Sequence, residues 1–284
     1  MGATSSKAEE VVIQSSDDTR ADKIPIGTDV TYRDTDILRQ TDAVMQWDEI
    51  QPIIAREDLP VLSAYLLHNV LSPEECQRFI EISEDMIYSD SPLRDLSQTN
   101  SASARLSEST KQIRNSERVL FDVSDQIGVE LNRRILPFLT EEFDCEGSLW
   151  RVQQLGQGMS GGPVNKRWRF NRYAKDQFFK PHFDAGFVYS RDEKTLFTFI
   201  LYLSDDFEGG ETTFFPGNRK LAHQQPIVGI EHPVKPKRGS CLIFPQAGAL
   251  NPRHEGAPHR SEGKYKYILR SDIAYVKIND TGSS

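Results

Sequence analysis

From Trp168 to its end the chain reads as a series of short strands cut apart by turn residues. The segments RWRFNRYA, TLFTFILYLS, ETTFF, GIEHPVKP, SCLIFP and KYKYILRSDIAYV are rich in aromatic and β-branched side chains. Gly, Pro and Asp clusters separate them. Many short strands with regular turn signals predict a sandwich, barrel or jelly roll. No internal repeat is evident.

Upstream the character differs. In SPEECQRFIEISEDMI, Ser72 is a good N-cap, Pro73 sits at N1 and Glu75 completes a capping box, which predicts a helix over 73–87. In SDQIGVELNRRILPFL, Ile127, Leu131 and Ile135 recur every four residues and predict a second helix. The Ser/Asn/Arg-rich stretch 89–117 and GQGMSGGP read as loops. Residues 1–55 are polar, with little periodicity, and read as a largely disordered tail. The expected order is helices first, then a compact β-domain.

Composition narrows the function. The formal net charge is −8 and no Lys/Arg cluster tracks a nucleic-acid backbone, so nucleic acid is a poor partner. The longest apolar runs, such as TLFTFILYL, are too short to span a bilayer. No apolar N-terminal stretch marks a secretory signal. Three cysteines, Cys76, Cys145 and Cys241, are widely spaced and odd in number. They argue for reduced thiols in an intracellular, cytoplasmic protein. Gly2 with Ser6 fits the N-myristoylation pattern, and one acyl chain alone would hold a membrane weakly.

The stretch KPHFDAGF carries the chemistry. In a strand, side chains at i and i+2 share a side, about 7 Å apart at the backbone. His182 and Asp184 can therefore converge on a metal ion, or form a His–Asp hydrogen-bonded pair. NPRHEGAPHRSEGKYKYILRSDIAY offers His254 and His259 as further ligands, ahead of a strand carrying Lys264, Lys266 and Arg270 on one side. Such a strand can seat an anionic cosubstrate or simply keep an edge soluble. Two His and one carboxylate with open positions is the non-haem Fe(II) arrangement, although zinc accepts the same ligand types.

The order of FNRYAKDQFFKPHFD, TFILYLSDDFEGGETTFF, GSCLIFP, HEGAP and GKYKYILRSDIAY resembles the catalytic domain of the Fe(II)/2-oxoglutarate dioxygenases, in particular the prolyl 4-hydroxylase-like group. The resemblance covers 168–276 directly, and the RNSERVLFDV helix region resembles the family's N-terminal support. It implies an α+β fold: a double-stranded β-helix (jelly-roll) core over 165–278 and a helical support over 56–145, within one domain over 56–284. It implies Fe(II) held by His182, Asp184 and His254, with His259 the weaker alternative. It implies 2-oxoglutarate bound by Lys266, with Arg270 or Lys264 as alternatives, and by Tyr173 and Tyr202. Glu211 is expected to be structural. The implied reaction consumes O2, releases succinate and CO2, uses ascorbate as reductant, and hydroxylates a prolyl or other residue of a protein or peptide. A small-molecule substrate, or a non-catalytic binding module, is the alternative.

Overall fold

The computed structural model describes residues 45, 47–49, 53–86, 88–90, 113–123, 125–218 and 230–278. Most of the expected tail, the acylation site at Gly2 and most of the 89–117 loop lie outside the described residues; Met45 and Trp47, within the stretch expected to be disordered, instead pack on the core, Trp47 beside Phe79.

Strands β1 (Ala55–Leu59) and β2 (Ala64–His68) form a hairpin ahead of helix α1 (Pro73–Glu84). Short strands β3 (Ser89–Asp90) and β4 (Arg114–Asn115) precede β5 (Glu117–Asp122) and helix α2 (Asp125–Ile135). A second hairpin follows, β6 (Glu142–Cys145) and β7 (Ser148–Val152). The later strands are β8 (Arg167–Tyr173), β9 (Phe178–His182), β10 (Val188–Ser190), β11 (Glu193–Tyr202) and β12 (Thr212–Asn218). The last are β13 (His232–Val234), β14 (Cys241–Pro245), β15 (Pro252–Gly256) and β16 (Lys266–Lys277).

The strands form two sheets. The larger runs β1-β2-β14-β11-β16-β8-β5-β3, with β10 on β11 and the β6–β7 hairpin on β16. The smaller runs β13-β12-β15-β9-β4. Paired strands run antiparallel throughout the registers described. The two sheets pack face to face through Tyr173, Ile200, Tyr202, Phe244 and Ile268 of the larger and Phe179, Phe214 and Val234 of the smaller. This is a jelly roll with added helices, an α+β fold.

The helices cover the other face of the larger sheet. Ser72 caps α1 as its sequence predicts: its hydroxyl accepts from Glu75 N–H at 3.0 Å, and the Glu75 carboxylate accepts from Ser72 N–H at 3.0 Å. Phe79 from α1 meets Trp168 and Phe170 of β8. Ile127, Leu131 and Ile135 from α2 join the same core. A buried ion pair ties the helices together: Arg134 donates to both Glu75 oxygens at 2.7 and 2.8 Å and to the Val70 carbonyl.

Four expectations need correction. The stretch 56–145, expected to be helical support, also supplies strands to the larger sheet, so the chain does not place helices first and strands after. RNSERVLFDV is β4 and β5, not helix, because Val119 and Phe121 alternate into the core with period two. The first helix ends at Glu84 rather than 87. The second stops at Ile135, where Leu136–Phe138 tightens into a 3₁₀ turn around Pro137.

Candidate metal and cosubstrate site

The site lies between the sheets. Antiparallel pairing of β9 with β15 puts His182 directly opposite His254. Their rings lie 4.4 Å apart between centroids. Asp184 falls just beyond the end of β9, so the two residues of KPHFD do not both sit on a strand. Hydrogen bonds hold Asp184 instead. Asn251 Nδ2 donates to its backbone carbonyl at 2.8 Å, and Thr198 Oγ1 donates to its Oδ2 at 2.7 Å.

One ligand-type atom from each of His182, Asp184 and His254 lies within 4.8 Å of the others. His182 Nε2 is 3.5 Å from Asp184 Oδ1, and His254 Nε2 is 3.6 Å from Oδ2. The tautomers follow from the partners. His182 Nδ1 faces the Lys180 carbonyl at 2.8 Å and His254 Nδ1 faces the Pro252 carbonyl at 3.2 Å. A carbonyl only accepts, so both Nδ1 atoms carry the proton and both Nε2 lone pairs point at the carboxylate. Phe179 stacks on the His182 ring at 3.5 Å and fixes its plane.

Electrostatics suit a cation. Burial pushes the His254 pKa down to about 3 and lowers that of His182, which keeps both rings neutral. Burial pushes the Asp184 carboxyl up, but the Arg270 guanidinium beside it outweighs burial and holds it well below the usual carboxylate range. Two neutral imidazoles and one ionised carboxylate converge with their lone pairs. That donor set fits a divalent transition metal.

Lys266 and Arg270 point into the same cavity, four residues apart on β16. Lys266 is 2% exposed and its ammonium donates to the Gly210 carbonyl at 2.7 Å. Burial pushes its pKa down to about 8, against a raising influence from Glu211. A buried ammonium with a carbonyl partner still seeks an anion. Arg270 pairs with Asp184 Oδ1 at 2.7 Å. Gly210 needs its positive φ of 74°, and a side chain there would meet the Phe207 ring at 2.8 Å.

The other sequence candidates fall in distinct places. Tyr173 lines the cavity. Tyr202 is fully buried behind it, its hydroxyl 2.8 Å from Thr212 Oγ1, and Thr212 is the residue of that pair on the cavity wall. Lys264 lies outside β16 and pairs with Asp206 on the surface at 2.6 Å. His259 is away from the triad: its Nε2 bonds the Tyr173 carbonyl at 3.0 Å and its ring packs on Phe207. Thr198 and Asn251 escaped notice in the sequence, although alternation along TFILYL puts Thr198, Ile200 and Tyr202 on one face. Arg114, Arg118 and Arg169 also line the cavity and gave no sequence signal.

Among the described residues no helix is long and apolar enough to cross a membrane. Cys76, Cys145 and Cys241 are buried and unbridged.

Residues 168–271 match the model of the 2OG-Fe(II) oxygenase superfamily. Over 79 residues the chain is 39% identical to prolyl 4-hydroxylase 1 of Arabidopsis thaliana, which is 26% of this chain and 27% of that protein. The match therefore spans about a quarter of the relative's length. Among solved structures, the viral collagen prolyl hydroxylase of Paramecium bursaria Chlorella virus-1, as its 2OG complex, is 19% identical with a TM-score of 0.45, covering 74% of this chain and 95% of that one. A prolyl hydroxylase from Trichoplax adhaerens, in complex with a hypoxia inducible factor peptide fragment, is 14% identical with a TM-score of 0.48, covering 85% and 93%.

Proposed function

The segment 168–271 belongs to the 2OG-Fe(II) oxygenase superfamily and is prolyl 4-hydroxylase-like, and on that premise we propose that this chain is an Fe(II)- and 2-oxoglutarate-dependent dioxygenase that hydroxylates a prolyl residue of a protein or peptide. The observation that carries the reading is the convergence of three lone-pair donors beside a buried ammonium in one cavity.

His182, Asp184 and His254 would hold the Fe(II), and Lys266 would receive the far carboxylate of 2-oxoglutarate. When bound, the iron and 2-oxoglutarate supply oxidation of a C–H bond by O2, with release of succinate and CO2. The chain's own residues bind and orient. Nδ1 protonation fixes the Nε2 lone pairs of both histidines. Thr198 holds the Asp184 carboxylate against rotation, and Asn251 fixes the Asp184 backbone carbonyl. Phe179 keeps the His182 ring in place. Lys266 offers a charge-assisted hydrogen bond in a site shielded from water, which makes it strong and directional. Tyr173 and the Thr212–Tyr202 hydroxyl pair complete the wall around that end of the cavity.

Ascorbate would restore iron oxidised in uncoupled turnovers. The working domain would be 56–284, in an intracellular protein; a myristoyl group at Gly2 would add weak membrane contact.

The test is succinate release by purified protein with Fe(II), 2-oxoglutarate and O2, followed by mass spectrometry of proline-containing peptides. A gain of one oxygen atom on proline supports the reading. Succinate release without any peptide product moves the substrate to a small molecule. No succinate and no binding of 2-oxoglutarate would leave a binding module.

A further inference from the structure

Asp184 sits past the end of β9, beyond the strand ladder. A row of buried polar groups reaches it from the Phe187 backbone through Thr195, Gln246 and Thr198, each at most 1% exposed. The Phe187 N–H donates to Thr195 Oγ1 at 2.7 Å, and the Thr195 N–H donates back to the Phe187 carbonyl at 2.8 Å. One end of the Gln246 amide lies 2.6 Å from Thr195 Oγ1 and the other 3.1 Å from Thr198 Oγ1. Thr198 Oγ1 in turn donates to Asp184 Oδ2 at 2.7 Å. The Gln246 backbone is anchored to β11, its N–H donating to the Leu196 carbonyl at 2.9 Å.

The two ends of an amide have nearly the same shape, so proton count and bond length decide which end faces which hydroxyl. Each threonine hydroxyl has one proton to give. Thr198 gives its proton to the Asp184 carboxylate, which only accepts. It has none left for Gln246, so the amide end facing it must be the NH2 group, donating to a Thr198 lone pair. The amide oxygen then faces Thr195 and accepts its proton. The reverse orientation would ask Thr198 to serve two acceptors with one proton. It would also leave the Thr195 proton only the Phe187 carbonyl at 3.5 Å, which already takes the Thr195 N–H. The lengths agree. A separation of 2.6 Å is normal for O–H···O and short for N–H···O, while 3.1 Å is normal for N–H···O and long for O–H···O. Every donor in the row then points toward Asp184. Aligned bonds polarise one another, and the last one is charge-assisted.

We propose that Gln246 is a positioning residue for the metal carboxylate. By donating to Thr198 it leaves the Thr198 proton a single acceptor, Asp184, and so sets the rotation of that carboxylate. The inference rests on the metal site proposed above and extends it one residue outward, to a side chain that touches neither metal nor substrate.

Two measurements test it. The first uses the metal-free full chain, isotope-labelled, with protonated threonine in a deuterated background, and reads NOEs from the Gln246 side-chain NH2. A stronger NOE to Thr198 than to Thr195 supports the orientation, and the reverse overturns it. This is read on wild type, so it decides the orientation even where a variant folds poorly. The second is Co(II) titration, followed by the visible absorption of the bound ion, for wild type, Gln246→Met, Thr198→Val and the double variant. Gln246→Met keeps the side-chain length and removes both polar ends. It should weaken Co(II) binding by about 3–10-fold, less than the about 10–100-fold typical of losing a direct outer partner. In the Thr198→Val background the same change should cost less than about twofold, because Gln246 would have no hydroxyl left to orient and coupled residues are not additive. A merely structural Gln246 would cost the same in both backgrounds. That result, or unchanged or tighter binding in Gln246→Met, overturns the positioning role. A wild type that binds no Co(II) removes the metal site itself and the positioning role with it, while the NOE still reports the amide.

Discussion

The two faces of the larger sheet are built from the same strands to opposite rules. On β8, Trp168 and Phe170 face the helices while Arg169, Asn171 and Tyr173 face the cavity. On β16, Leu269, Ile273 and Tyr275 face the helices while Lys266, Ile268 and Arg270 face the cavity. On β11, Phe197, Phe199 and Leu201 alternate with Thr198, Ile200 and Tyr202. The helix face is a dry aromatic and aliphatic core whose contribution is burial. The cavity face places charges where water is scarce, and each charge there costs free energy until a partner offsets it. One period-two pattern thus writes stability on one side and chemistry on the other. Substitutions should separate the two.

The largest effect expected is on chemistry. Asp184→Ala removes the only carboxylate of the triad, and iron-dependent succinate release should fall to background. Turnover near the wild-type rate in that variant would show that the metal is held elsewhere. The counterpart on the helix face is Phe79→Ala. Phe79 is 1% exposed and packs on Trp168 and Phe170. Its loss should cost about 3–5 kcal/mol in urea unfolding, yet leave the 2-oxoglutarate affinity of the folded fraction unchanged. A loss of affinity matching the loss of stability would mean that the faces are not separable.

How far the sequence disclosed these faces follows from the range of the interactions. Turn residues and alternation are local, so most strands after Trp168 could be read directly. The capping box of α1 is local too. The strand Glu117–Asp122 is ambiguous in the sequence because three consecutive apolar residues, Val119, Leu120 and Phe121, suit helix and strand alike. His182, Asp184 and His254 stand out by residue type and motif. Thr198, Asn251 and the Arg169–Arg270 opposition do not, because they matter only through register. Arg270 meets Arg169 across more than a hundred positions of chain, and pairing of β16 with β8 decides it. The same holds for His182 and His254, whose opposition depends on how β9 meets β15.

A smaller effect tests positioning. Thr198→Val removes the hydroxyl that donates to Asp184 Oδ2 and keeps the side-chain shape. Loss of such an outer partner typically weakens metal affinity about 10–100-fold. Metal titration should show this while urea unfolding of the metal-free protein changes little. Unchanged affinity would mean that the Arg270 ion pair suffices to hold the carboxylate.

The smallest effect, and the sharpest contrast between the faces, is with pH at Lys266. Burial lowers its folded pKa from 10.5 to about 8. Between those values the unfolded chain holds a proton that the folded chain has released, so stability rises with pH across that window. Below about pH 8 both states are protonated, and the cost of burying the charge is carried in full. Lys266→Met should remove this rise, read as the difference between wild-type and variant unfolding curves at successive pH values. Binding moves the opposite way. The ammonium must be charged to hold a carboxylate, so 2-oxoglutarate affinity should fall by up to about tenfold per pH unit above pH 8. Lys266→Arg should flatten that dependence, because guanidinium stays protonated throughout. If wild type shows no fall, the far carboxylate sits on a group that does not titrate in this range. Arg270, four residues along the same strand, would then be the side chain to replace next.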